Sequence, residues 1–172
     1  MSNKIIALRQ PDVILKLYGQ NPKPLSAYAK GKLNRCKTQN GIVLSDIMQK
    51  LIGSSISAEV TFFNDDGEEL YMEFPELAES YLALADDGQG DLWLLRLTDG
   101  SIVFFDHEKT EDTITSLCID FLQFLQLADL IAQWEQLQNI NPEAAAAQEA
   151  ALWTEMKKIE PKLPESYPFR LS

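Results

Sequence analysis

The chain's single histidine, His107, stands between Asp106 and Glu108. A carboxylate bonded to an imidazole raises its pKa and makes a dyad able to move a proton. Neighbours on a strand point to opposite faces, however, so this triplet does not bring both flanking carboxylates to one ring. Neither a second histidine nor a serine nucleophile elbow accompanies it. The expectation is a strand end closed by side-chain-to-backbone hydrogen bonds, with no catalytic residue.

A second group, Asp86, Asp87 and Asp91, lies in the run DDGQGD. Three carboxylates can ligate a divalent cation, but the register of an EF-hand loop fails here. Counting back from Gly88 or Gly90 puts Ala83 or Ala85 where the first aspartate belongs. Asp65 and Asp66 fail the same test, and both runs read as turns in which aspartate favours the required backbone shape. Cys36 and Cys118 are far apart and outside any Cys-x-x-Cys pair, so with one histidine no standard zinc site can be assembled. Two reduced thiols are expected, Cys118 packing as a small apolar side chain, with no metal and no cofactor.

Of the chain's 26 acidic residues, sixteen fall within residues 59–112, opposed there only by Arg96 and Lys109. Residues 1–58 are basic, carrying nine Lys or Arg against Asp12 and Asp46. Such an acidic middle repels nucleic acid and anionic lipid and speeds encounter with basic proteins. Lys23, Lys30, Lys32, Arg35 and Lys37 around Tyr28 read as a solvated helix face rather than a nucleic-acid patch. The segment MSNKIIALRQPDVILKLYGQ has no apolar core or cleavage site of a secretory signal, and no apolar run approaches the ~20 residues that span a bilayer. A cytoplasmic protein without a membrane partner is expected. The 172 residues suit one domain, 1–172, burying roughly 70% of its unfolded surface.

The elements that position these residues follow from periodicity. Ile5 to Tyr18 is apolar, with Pro11 as a break and Gly19 as a stop. A weakly apolar helix is predicted over Leu25–Leu33. Another is predicted after Ser45 as cap, using Ile47, Met48, Leu51 and Ile52 and ending at Gly53. Ala58–Phe63 and Leu70–Phe74 are predicted to form a hairpin across NDDGEE. Tyr81–Ala85, Leu92–Leu97 and Ile102–Phe105 make a three-stranded meander, apolar on nearly every position of the last two strands and so covered on both faces. Asp99-Gly100 signals a type I′ turn. A long helix is predicted from a cap at Asp112 or Thr113 to about Leu137. Asn141 and Pro142 open a final helix with Leu152, Trp153, Met156 and Ile159 inward, and an irregular tail follows Pro161.

In order, Tyr81, an apolar strand, Asp86–Asp91, a second strand, Thr98-Asp99-Gly100, a third strand ending Asp106-His107-Glu108, and then a helix bearing Asp120-Phe121-Leu122-Gln123-Phe124-Leu125 resemble the core of the SUKH superfamily. The resemblance covers about residues 80–126. The basic N-terminal third departs from it, NPKPLSAY matching the family's helix entry poorly, and residues 139–172 form a helical extension. It implies an α+β fold: an antiparallel sheet of about five strands with N-terminal helices and a C-terminal helical pair packed against it. Many bacterial members are immunity proteins that bind and neutralise a cognate secreted toxin, while fungal relatives are regulatory interaction proteins. The function so implied is non-enzymatic protein binding, with a basic toxin as partner or, as the alternative, an endogenous regulatory partner. A hydrolase using His107 is the remote alternative. Asp86, Asp87, Asp91, Asp106, Glu108, Glu111 and Asp112 are the candidate partner-binding residues.

Overall fold

The computed structural model describes residues 5–36, 44–64 and 68–171. Among these, six strands form one antiparallel sheet in sequence order: β1 (Ser55–Ser57), β2 (Val60–Phe62), β3 (Tyr81–Asp86), β4 (Leu92–Arg96), β5 (Ile102–Phe105) and β6 (Ile114–Ser116). The expected meander is its centre, and its apolar runs are buried on both faces. Trp93, Leu95, Ile102 and Phe104 face one layer, while Leu92, Leu94, Val103 and Phe105 face the other.

The first layer is helical. It contains α1 (Pro11–Tyr18), α2 (Ala27–Arg35), α3 (Leu44–Leu51), α5 (Phe121–Ile140) and α6 (Pro142–Ile159). Helix α5 is apolar over most of its circumference because it lies between the sheet and its partner α6. Asn141 caps α6 through Ala144 N–H at 3.1 Å, as its sequence predicts. The second layer is thinner: α4 (Glu68–Glu73) and a 3₁₀ turn at Pro75–Leu77 cover Leu92, Leu94, Val103 and Phe105.

Several expectations are corrected. Pro11 opens α1 at its first turn instead of breaking a helix, since its missing N–H costs nothing there. Leu70–Phe74 is not a strand: β2 takes β1 as its hairpin partner across Ala58 and Glu59, and Leu70 to Glu73 belong to α4. The Asp66-Gly67 turn lies outside the described residues. The turn after β4 spans four residues between Arg96 and Ser101, whose N–H and carbonyl pair at 2.8 Å, and only Gly100 in it has positive φ (+73°), so it is not type I′. The long helix begins at Phe121. Asp120 accepts from Gln123 N–H at 2.8 Å while the Gln123 side chain accepts from Asp120 N–H at 2.9 Å, a capping box that fixes the start. The residues before it supply β6, which pairs Val103 with Ser116 and makes the strand count six. The tail contains a short helix, α7 (Leu163–Ser166), followed by buried Tyr167 and by Phe169, whose ring lies 5.3 Å from that of Phe104.

Residues 5–10 form a strap over the helical layer. The Gln133 side chain accepts from Ala7 N–H (3.1 Å) and donates to Ala7 carbonyl (2.9 Å). Leu8 N–H donates to Glu155 (2.9 Å), and Gln126 donates to Arg9 carbonyl (2.9 Å). Arg9 reaches the fully buried Asp129 at 3.2 Å, and Ile6 is buried in the core.

Candidate functional site

The ends of β3 and β5, the loop from β3 to β4 and the loop from β5 to β6 meet at one end of the sheet, and they carry all seven candidate acids. Gly88 (φ +78°) and Gly90 (φ +104°) let the β3–β4 loop turn, and Asp87 N–H closes it on Asp91 carbonyl at 3.2 Å. Asp86 accepts from Gly88 N–H (2.8 Å), and Asp87 accepts from Gln89 (2.8 Å) and Asp91 (3.1 Å) N–H groups. Asp87 is only 7% exposed, and burial raises its pKa against the pull of those backbone bonds.

His107 is held by Asp91 and not by either sequence neighbour. One Asp91 oxygen accepts both His107 N–H (3.0 Å) and His107 Nδ1–H (2.7 Å), and this bond is the main cause of the raised imidazole pKa. The ring lies against bare Gly90. Asp106 accepts Glu108 N–H at 3.1 Å, so the strand end is also closed by a side-chain-to-backbone bond. Asp87 and Asp91 are thus occupied inside the loops. Asp86 and Asp106 are half-buried at the rim, and Glu108, Glu111 and Asp112 are exposed. Asp106 has Lys109 at 3.8 Å.

Beside this rim runs an open groove of about 300 Å³. Phe63, Leu70, Phe74 and Leu92 give it apolar walls, Glu73 and Asp86 stand along it, and the His107 ring closes one side. Phe74 is fixed edge-on to Phe105 at 5.0 Å. Met72 on the same helix is 82% exposed. The groove was not legible from the sequence because it needs α4: a strand at Leu70–Phe74 gives Glu73 and Phe74 opposite faces of a sheet. The acidic excess that includes Glu73 was the one available signal.

Three further features lie elsewhere in the fold, and the lysine and the thiols among them depart from expectation. Lys32, read as part of a solvated face, is 5% exposed. Its ammonium donates to the carbonyls of Ala78 and Tyr81 and lies 3.9 Å from the Tyr71 ring centroid. Glu59 is pushed up to about 7 by burial and by neighbouring Glu135, which itself accepts Ala58 N–H at 3.0 Å. Cys118 is exposed and Cys36 is the buried thiol, because Cys118 (φ +56°) points outward between buried Leu117 and Ile119.

Among the described residues no group of three or more His, Cys, Asp or Glu is arranged to hold a metal ion, and no helix is long and apolar enough to cross a membrane. No protein-family model matches the chain, and no curated protein or solved structure does.

Proposed function

We propose that the chain is a non-enzymatic protein-binding module, a SUKH-like immunity protein that binds and neutralises a basic cognate toxin through the acidic end of its sheet. The observation that carries this reading is the groove walled by Phe63, Leu70, Phe74 and Leu92 with the carboxylates of Glu73 and Asp86 along it. Apolar contact area rimmed by one sign of charge suits a protein surface of the opposite sign. A cytoplasmic site of action and the absence of a nucleic-acid partner belong to the same proposal, the latter supported by the excess of acids over residues 59–112. The test is co-expression with the toxin gene adjacent to this one. Protection together with co-purification is expected; failure of both with the true neighbour overturns the reading. Exchanging Asp86, Asp106, Glu108 and Glu111 for lysine slows association and flattens its salt dependence.

A second reading takes support from Asp91 and His107, whose arrangement is that of an oriented general base. Against it, no Ser, Thr or Cys among the described residues lines the groove, so no hydroxyl or thiol that the imidazole could activate stands beside the ring there. Under the binding reading His107→Asn retains protection; its abolition with partner binding intact favours the hydrolase.

A further inference from the structure

The groove beside His107 has a defined chemistry. Its volume, about 300 Å³, is at the small end of ligand pockets, which run roughly 300–1,000 Å³, and suits one inserted side chain better than a large ligand. Among the described residues neither Glu73 nor Asp86 is in an ion pair, and no Lys or Arg lines the groove. His107 at its edge is bonded through Nδ1 to Asp91 at 2.7 Å, so any positive charge on the ring is already matched there. An incoming cation therefore meets two carboxylates that no described residue of the groove neutralises, beside aromatic and aliphatic walls.

We propose that this groove is an arginine pocket, receiving an arginine of a basic protein partner with its methylenes against Phe63, Phe74 and Leu92 and its guanidinium at Glu73 and Asp86. The inference rests on the binding-module reading above and names the anchor of that same surface. Arginine fits better than lysine because its planar, weakly hydrated head stacks on aromatic rings and forks carboxylates. An acidic or phosphorylated segment is repelled by the same charges.

The single histidine makes the test direct, since its imidazole gives one set of NMR signals at the groove wall. The full chain is titrated with N-acetyl-arginine amide, N-acetyl-lysine amide and N-acetyl-glutamate amide while the His107 Cε1–H resonance is followed. Arginine is expected to shift the resonance saturably, lysine to bind several-fold more weakly and glutamate to leave it unmoved. The double variant E73Q/D86N replaces both carboxylates by amides, and the amide oxygen at position 86 still accepts from Gly88 N–H. It is expected to bind arginine at least tenfold more weakly with an unchanged thermal midpoint. Absence of a saturable shift, or equal affinity in E73Q/D86N, overturns the pocket. Co-purification separates this from the function itself. If E73Q/D86N loses the arginine probe but holds the toxin at wild-type strength, the anchor is refuted and the binding module stands. If the wild-type chain binds arginine but neither binds the toxin nor protects against it, the immunity reading falls instead.

Discussion

A single oxygen of Asp91 accepts both the backbone N–H and the Nδ1–H of His107, at 3.0 and 2.7 Å, across 16 residues of chain. The pair ties the loop after β3 to the end of β5, so rim acids from separate loops are carried on one frame. Because the bond raises the imidazole pKa, its contribution to stability is complete below the unfolded value of about 6.5. That contribution is lost as pH rises through the higher folded value.

D91N tests this directly. Its amide oxygen still accepts a hydrogen bond, but the charge is gone, so His107 is expected to titrate at lower pH than in the wild type. The stability gap between the two proteins is expected to narrow as pH rises past the folded pKa. An NMR titration of the imidazole that is identical in both proteins contradicts the pairing.

Two glycines in the same loop separate strain from contact. Gly90 has φ +104°, and a Cβ there sits 2.9 Å from His107 Cε1, whereas Gly88 has φ +78° and open space around it. G90A is expected to cost about 1–3 kcal/mol in urea unfolding and to displace the His107 resonance. G88A carries backbone strain alone and leaves that resonance in place. A displaced resonance in both variants counts against the contact.

Lys32 joins α2 to the start of β3. Burial, with Arg35 nearby, brings its pKa down to about 8, which still leaves it protonated at neutral pH. K32M keeps the volume but leaves two carbonyls, those of Ala78 and Tyr81, without their donor. A loss of roughly 2–4 kcal/mol is expected. A loss under ~0.5 kcal/mol, the scale of ordinary surface changes, shows the ammonium to be dispensable.

Glu59 works in the opposite sense. Its folded pKa, about 7, lies above its unfolded value, so its ionisation opposes folding progressively between about pH 4.5 and 7. E59Q removes that penalty and keeps an acceptor for Tyr167. The variant is expected to be more stable than the wild type at pH 8, on the order of 1 kcal/mol once partial exposure is allowed for, and the advantage to vanish at pH 4. An equal difference at both pH values rules out titration as its source.

The centre of the fold was legible because residues 92–95 and Ile102–Phe105 are apolar on consecutive positions in short runs bounded by turns, as a doubly covered strand requires. The flanks were not, because competing local signals are equally good on paper. Asp112 and Thr113 look like a helix cap, but Asp120 with Gln123 makes the full capping box, and the intervening residues pair with the open edge of β5. Leu70–Phe74 has strand-like composition, yet β2 closes more cheaply on β1 across two residues, freeing the later segment to form α4. At the site, the acidic turns were visible in the sequence, while the Asp91–His107 bond and the groove depend on strand register and on α4.

The strap at residues 5–10 has a consequence for how the molecule folds. Its places on Gln126, Gln133 and Glu155 lie 117 to 147 residues further along the chain. Each of these bonds closes a loop of that length, so its entropic cost is met only after the helices that carry the partners are in place. The strap is in effect a latch, set once α5 and α6 have packed together.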